Sequence, residues 1–373
     1  MLYREGPSGD DIIFALSHRD RIARIDLLGL TIRQLKTCAA LMQGPFQSLR
    51  TLRLSCLAEA RGVPVITDTF LGGSAPRLQE IDLCHIPFPT LPNILFSANG
   101  LVILCLEDIT KAGYIPPDVM ASCLAMLTRL NSFKIRFRSR RSFPNRITRH
   151  TPPLTRTVLP VLAIFVFEGV SEYSEELMAQ IDASSLDYLH LDFFYQSVFD
   201  IPQVFRFIHC TEAFKPPARA MVQFFCDAVD VVILPSHGHG AYCLRQLHCT
   251  GIDKQLSSLE QVLTQCPSIF SHTVRLRLNW RGDSEINQPM SWLGCLRRFK
   301  GVQILHVTDG NEELTVHIAR MLGELGGEGA SEVLPTLHTL ILRRFHTIHE
   351  VLISLLKPFL DARQRSGHPV KVE

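Results

Sequence analysis

The sequence predicts an α/β fold built from repeats, with parallel strands on a concave face and helices on a convex face. Three observations lead to this prediction. A short apolar motif recurs along the chain, apolar helical stripes separate its copies, and 373 residues exceed what a single globular core usually holds. A repeat array has no such size limit, because each repeat packs only against its neighbours.

The recurring motif is apolar-x-x-apolar-x-apolar, which is typical of the strand in a leucine-rich repeat. The first seven copies begin 27, 29, 23, 29, 32 and 24 residues apart, and leucine-rich repeats run about 20–29 residues. This spacing predicts an irregular leucine-rich-repeat solenoid. The copies are Ile22-Ile25-Leu27, Leu49-Leu52-Leu54, Leu78-Ile81-Leu83, Leu101-Leu104-Leu106, Leu130-Phe133-Ile135, Leu162-Phe165-Phe167, Leu186-Leu189-Leu191, Val302-Leu305-Val307 and Leu337-Leu340-Leu342.

The segments between the strand motifs have the apolar spacing of helices. Thr31 is placed to cap a helical stripe, Asp118 to cap a second, and Ser174 to precede a third that opens with two acids. Further stripes run over Leu314–Leu325 and Val351–Leu360. Strand and helix therefore alternate, and stacking of neighbouring pairs is expected to bury a continuous core.

The motif is lost between Leu191 and Val302. We therefore expect a lead-in over residues 1–20, a solenoid over 21–361 with an irregular region at 192–300 that can separate two sub-arcs, and a tail over 362–373. Candidate strands in the irregular region are Val229–Leu234, Leu244–Cys249 and Val274–Leu278.

Composition excludes several classes of protein. A net charge of +2 offers no general attraction for nucleic acid or an acidic membrane. The apolar runs are far shorter than the roughly 18 residues that a membrane-spanning helix needs, and the first residues lack the apolar segment of a signal peptide. The 11 cysteines are an odd number and scattered singly, which favours reduced thiols and a cytoplasmic or nuclear location.

One basic stretch offers a second interpretation. Residues 134–149 contain no acid and could contact an anionic surface such as nucleic acid. Pro144 and the pair Pro152-Pro153 favour a solvated loop instead, so nucleic acid is an unlikely partner. The basic residues are Lys134, Arg136, Arg138, Arg140, Arg141, Arg146 and Arg149.

No catalytic or cofactor motif is present. His237, His239 and Cys243 lack the paired spacing of a zinc module. The glycines between Gly323 and Gly329 follow a helical stripe, whereas a phosphate-binding loop follows a strand. No G-x-S-x-G sequence occurs. We therefore expect neither an enzyme nor a metal or cofactor site.

The positions that flank the strand leucines are expected to line the concave face and to contact a protein partner. They are Arg53, Glu80, Asp82, Lys134, Arg136, Tyr188, His190, Asp192, His306 and Arg343.

Several phrases resemble the fungal F-box/leucine-rich-repeat family, and together they cover most of the chain. They include residues 70–79 (FLGGSAPRLQ), 86–92 (IPFPTLP), 113–117 (GYIPP), 156–160 (RTVLP), 169–173 (GVSEY) and 362–369 (ARQRSGHP). The resemblance implies a substrate receptor of a Skp/cullin/F-box ubiquitin ligase, in which the repeats hold an unknown target protein and F-box helices hold a Skp-type adaptor.

The F-box of that family should precede the repeats and occupy some 40–50 residues. Here the repeats begin near Ile22, and residues 1–20 carry no F-box. The adaptor is therefore expected as a partner only if an F-box is encoded upstream. The alternative is a stand-alone recognition module without a link to a ligase.

Overall fold

The computed structural model describes residues 14–16, 18–57, 62–144, 156–215, 217–235, 240–281, 292–309, 313–325, 332–343 and 349–373. Internal contacts divide the chain into unit 1, Met1–Leu186, and unit 2, Asp187–Glu373. Both units combine helices with a mostly parallel sheet, which confirms the predicted α/β class.

Unit 1 contains a six-stranded sheet with the order β1-β2-β3-β4-β5-β7, and every neighbouring pair is parallel. Its strands are β1 Arg24–Leu30, β2 Thr51–Cys56, β3 Glu80–Cys84, β4 Ile103–Ile109, β5 Ser132–Phe137 and β7 Ile164–Gly169. Two short strands, β6 Thr157–Val158 and β8 Ile181–Asp182, form a separate parallel pair. The helices are α1 Ile32–Leu41, α2 Leu91–Leu95, α3 Pro117–Met126 and α4 Ser171–Gln180.

The strand motif forms the core of unit 1. Leu52 pairs with Ile81, which pairs in turn with Leu104, and all three side chains are buried. A second buried row of Leu54, Leu83, Leu106, Ile135 and Phe167 lies two residues further along the same strands. Because side chains alternate across a strand, both rows point to one side of the sheet.

Helices pack against this apolar side. Tyr173 of α4 is fully buried, and its ring lies 4.9 Å from that of Phe137 and 5.8 Å from that of Phe167. Its hydroxyl donates a hydrogen bond of 3.0 Å to the carbonyl oxygen of Ile115. This bond satisfies the polar group of an otherwise apolar core.

Thr31 caps α1 as predicted, through a reciprocal capping box with Gln34. The predicted cap at Asp118 and the predicted start of a helix after Ser174 were wrong. Helix α3 begins at Pro117, whose fixed φ suits the first helical position, and Asp118 lies inside the first turn. Helix α4 begins at Ser171, so Ser174 is an internal residue whose hydroxyl donates back to the carbonyl oxygen of Ser171.

Unit 2 contains an eight-stranded sheet with the order β9-β12-β11-β10-β13-β14-β15-β16. The strands are β9 Tyr188–Phe194, β10 Pro217–Phe224, β11 Ala228–Pro235, β12 Ala241–Leu247, β13 Arg275–Trp280, β14 Ile304–Asp309, β15 Thr339–Arg343 and β16 Lys371–Val372. The helices are α5 Pro202–Cys210, α6 Ile252–Gln265, α7 Pro267–Ser271, α8 Trp292–Leu296, α9 Glu313–Glu324 and α10 His349–Arg365.

The irregular region is where the expectation of parallel strands throughout was wrong. Strand β11 contains the candidate Val229–Leu234, and β12 overlaps the candidate Leu244–Cys249. Strand β11 is antiparallel to both of its neighbours, β10 and β12. Only residues 225–227 connect β10 to β11. A parallel connection needs a crossover of a dozen or more residues, so a link this short enforces an antiparallel hairpin.

The predicted tail is part of the folded chain. Helix α10 extends to Arg365, and β16 pairs with β15. Arg363 is 1% exposed, and its guanidinium donates to the carbonyl oxygens of Pro335 at 3.0 Å and Leu337 at 2.8 Å. These bonds attach the end of α10 to the chain segment that enters β15.

We predict that Leu104→Ala in unit 1 and Leu189→Ala in unit 2 each lower the free energy of unfolding by about 2–5 kcal/mol, because each removes a fully buried side chain and leaves a cavity. Urea denaturation measures the change. Val198→Ala, at a side chain that is 76% exposed, is the control and should change stability by less than about 0.5 kcal/mol. Wild-type stability in both leucine variants would contradict the strand register.

Candidate functional site

The side of the unit 1 sheet opposite the leucines is polar, and we call it the unit 1 polar face. Five predicted partner-binding residues lie on it: Arg53, Glu80, Asp82, Lys134 and Arg136. All five are half-buried. The face has further members that were not predicted from the sequence, and these are Asp26, Cys105, Glu107 and Glu168.

Two arginines organise the charges of this face. The Arg53 Nε donates a hydrogen bond of 2.8 Å to Glu80 Oε1, and its Nη1 lies 4.0 Å from Asp26 Oδ2. The Arg136 guanidinium lies between two carboxylates, with 3.4 Å from Nη1 to Glu107 Oε1 and 3.9 Å from Nε to Glu168 Oε2. The face is therefore a mosaic of both signs of charge.

Of the carboxylates on this face, Asp82 interacts least with the two arginines. Burial raises its pKa above the ordinary value, and the nearby Glu107 and Glu80 carboxylates raise it further. A hydrogen bond with the Cys105 thiol and the charge of Arg53 act in the opposite direction. Arg53 itself is engaged by Glu80, so Asp82 still favours an additional positive charge.

A bulge in β4 follows Glu107, which lies on the polar face in phase with Cys105. The register of β4 against β5 shifts between Leu106 and Ile109, and Asp108 adopts a left-handed φ of 57°. The extra residue is Asp108, whereas Glu107 keeps the normal register and lies beside Arg136 on the next strand. A left-handed residue also follows β3, where His85 is buried and its Nε2 lies 2.8 Å from the Arg138 guanidinium.

The basic stretch does not form one positive surface in the part of the chain that the structure describes. Lys134 and Arg136 lie among the acids of the polar face, whereas Arg138 contacts His85. Arg140 and Arg141 belong to a short 3-10 turn after β5. The last two arginines of the basic stretch, Arg146 and Arg149, lie outside the described residues.

Unit 2 has its own polar cluster on the side of the sheet opposite the apolar core, and we call it the unit 2 cluster. It consists of Tyr188, His190 and Asp192 of β9, Arg245 of β12 and Asp230 of β11. Register places Arg245 directly between the two aspartates, because it pairs with Asp192 on one side and with Asp230 on the other.

Hydrogen bonds connect the members of this cluster into a chain. The Tyr188 hydroxyl lies 3.2 Å from His190 Nδ1, and His190 Nε2 lies 2.8 Å from Asp192 Oδ1. Arg245 Nε is 3.9 Å from that same oxygen, and its Nη2 donates a bond of 3.0 Å to Asp230 Oδ2. The ring of Phe225 covers the Arg245 guanidinium at 5.1 Å.

Burial distinguishes the unit 2 cluster from the unit 1 polar face. The side chain of Asp230 is 2% exposed, and its Oδ1 has no hydrogen-bond partner in the described part of the chain. Burial raises its pKa, while the hydrogen bond and charge of Arg245 limit that rise. Asp230 and Arg245 were not predicted from the sequence, although a lone aspartate inside the apolar run of β11 indicates a charged partner on a neighbouring strand.

The residues of unit 2 that were predicted to bind a partner differ in exposure and position. Asp192 was expected to be open to a partner, but its side chain is 8% exposed because His190 and Arg245 enclose it. His306 of β14 pairs in register with Arg277 and is half-buried. Arg343 ends β15, and its side chain lies outside the described residues.

No protein-family model matches the chain, and no curated protein shows significant sequence similarity to it. None of the described helices is long and apolar enough to cross a membrane. The described residues also contain no group of three or more histidine, cysteine, aspartate or glutamate side chains arranged to hold a metal ion. The His237–Cys243 stretch lies partly outside that set.

The cysteines of the chain are all described and all free. Burial raises the pKa of most of them, to about 11 for Cys84 and to about 12 for Cys123 and Cys295. Thiols of this kind are poor nucleophiles at neutral pH. Eight of the cysteines are buried, whereas Cys210 and Cys226 are exposed.

We predict that Arg245→Leu lowers the free energy of unfolding by about 3 kcal/mol, because it leaves the buried Asp230 carboxylate without its cation. The double variant Arg245→Leu/Asp230→Leu should recover most of this loss, since it removes both charges. Urea denaturation of the two variants measures the difference. Equal stability of the single variant and the wild type would show that the pair is not buried as described.

The raised pKa of Asp230 predicts a pH dependence of known sign. A carboxyl that binds its proton more tightly in the folded state stabilises the fold most below the unfolded pKa of about 3.9, and this contribution is lost as pH rises through the folded pKa. Asp230→Asn should therefore gain stability relative to the wild type as pH rises from about 4 towards neutrality. Parallel pH profiles for the two proteins would contradict the assignment.

Proposed function

We propose that the chain is a leucine-rich-repeat-type module that binds another protein through the unit 1 polar face. The observation that carries this proposal is the row of half-buried charged side chains on adjacent parallel strands, opposite a continuous apolar core. Strands hold such side chains at fixed spacing, so they can match charges on a partner without reordering the backbone.

The charge pattern favours a protein partner with both signs of charge. The acids around Asp82 favour contact with a lysine or arginine of the partner, whereas Lys134 on β5 favours contact with a carboxylate of the partner. Arg136 is shared between Glu107 and Glu168, which lowers the positive potential that a phosphate backbone requires. We therefore prefer a protein over nucleic acid as the partner.

The same proposal includes a link to a ubiquitin ligase. The resemblance to fungal F-box/leucine-rich-repeat proteins suggests a receptor that presents the bound protein for ubiquitination. A stand-alone recognition module would use the same face without an adaptor. The two are separated by whether a Skp-type adaptor and a cullin accompany the protein when it is purified from its own cells.

We predict that Asp82→Asn/Glu107→Gln reduces partner binding at least about tenfold, because each lost charge contact at an interface costs on the order of 1 kcal/mol. The measurement is quantitative affinity purification of tagged wild-type and variant protein, followed by direct titration with the partner recovered.

The matched control is Asp68→Asn/Asp118→Asn, which makes the same change in charge at two exposed positions outside the polar face. It should retain the partners of the wild type. Partners that bind both double variants and the wild type equally would show that the polar face is not the binding surface.

A further inference from the structure

Three arginines lie together on the polar side of the unit 2 sheet, and we call them the arginine patch. Arg219 of β10 pairs in register with Arg275 of β13, and Arg277 lies two residues further along β13. All three are exposed, whereas Leu276 between the two arginines of β13 is 1% exposed and belongs to the core. Because side chains alternate along a strand, the arginines share the face that carries the unit 2 cluster.

Among the described residues, no acid neutralises the arginine patch. Residues 219–223 of β10, 275–279 of β13 and 304–308 of β14 contain no aspartate or glutamate. Asp230, on the other neighbour of β10, is buried and bonded to Arg245. None of the three arginines has an ion-pair partner within the part of the chain that the structure describes. The patch therefore presents positive charge to solvent.

Arg277 is held in a defined orientation. Its Nε donates a hydrogen bond of 3.3 Å to Thr308 Oγ1 on β14, and that hydroxyl donates in turn to the carbonyl oxygen of Leu278 at 3.2 Å. Its Nη1 and Nη2 have no hydrogen-bond partner in the described residues. Since these two nitrogens form a planar fork that matches the two oxygens of a carboxylate, Arg277 is oriented to bind one.

The spacing of the arginines matches an extended peptide. Like charges directly opposite each other on neighbouring strands repel, so Arg219 and Arg275 favour an anionic partner. Neighbouring strands lie about 4.8 Å apart, and residues two positions apart on one strand lie about 6.6 Å apart. An extended peptide has the same two-residue period, so carboxylates at alternate positions can face Arg275 and Arg277 together.

The surroundings of the patch favour a protein segment over a nucleic acid. Met221 pairs with Arg277, Ile304 pairs with Arg275, and both are half-buried. They can cover the methylene groups of glutamate side chains, which keeps water and salt away from the ion pairs. Residues 219–223, 275–279 and 304–308 contain no phenylalanine, tyrosine or tryptophan, so bases would find no aromatic stacking surface there.

We propose that the arginine patch is a docking site for an extended acidic segment of a partner protein, with carboxylates at alternate positions of the segment bound by Arg275 and Arg277 and a further carboxylate bound by Arg219. The site lies in unit 2 and goes beyond the unit 1 polar face of the proposed function, and neither site depends on the other.

The test uses the full chain and a fluorescein-labelled peptide of twelve residues in which glutamate alternates with serine. Fluorescence anisotropy at low ionic strength, where exposed charges are screened least, measures the dissociation constant. The wild type should bind this peptide, and Arg275→Gln/Arg277→Gln should weaken binding at least about 5-fold, as expected for the loss of two exposed ion pairs. The melting temperature of this variant should equal or exceed that of the wild type, because the substitutions reduce the repulsion between like charges.

A matched variant and a matched peptide separate specific docking from general charge attraction. Arg206→Gln/Arg365→Gln removes two exposed positive charges from helices α5 and α10 of the same unit, and it should bind the peptide like the wild type. A second peptide of the same composition carries glutamate and serine in alternating pairs, so no two of its glutamates are two residues apart. It should bind the wild type more weakly than the first peptide.

Four outcomes would overturn the proposal. The first is no binding of the alternating peptide to the wild type, and the second is equal binding to the wild type and Arg275→Gln/Arg277→Gln, or an equal loss in both double variants. The third is equal binding of the two peptides to the wild type. The fourth is tighter binding of a twelve-nucleotide polyuridine with the same dependence on Arg275 and Arg277, which would assign the patch to nucleic acid.

Discussion

The parallel register of the strand leucines is the constraint on which the rest of unit 1 depends. Leu52, Ile81, Leu104 and Phe133 lie side by side, and their burial requires every strand to keep the same phase. A shift of one residue would move the whole apolar set to the other face. The same phase therefore fixes which charged residues are presented together, and the polar face is a consequence of the core.

Unit 2 obeys the same alternation with one strand reversed. Strand β11 runs antiparallel, yet Val231 and Ile233 still face the apolar core while Asp230 faces the other side. Burial makes the Asp230 carboxylate costly, and Arg245 offsets that cost from the next strand. An aspartate in this position is tolerated because the hairpin aligns it with an arginine. The order of the strands in unit 2 therefore determines which charged side chains can pair.

The repeated strand motif determines how much of the fold and of the polar face could be predicted from the sequence. The α/β class, the buried leucines and the shared face of Arg53, Glu80, Asp82, Lys134 and Arg136 all follow from a local period that the sequence displays directly. The reversed β11, the bulge at Asp108 and the Asp230–Arg245 pair depend on which strands become neighbours. That information is non-local, because it concerns contacts between different strands.

Cysteine accessibility along β2 tests the central claim of strand phase most directly. Single cysteines are placed at positions 51 to 55 in a protein whose exposed Cys210 and Cys226 are changed to serine, and their rates of maleimide labelling are measured under native conditions. The structure predicts fast labelling at 51, 53 and 55 and slow labelling at 52 and 54, where the native leucines are 1% exposed. The reverse order, or rates without alternation, would contradict both the core and the polar face derived from it.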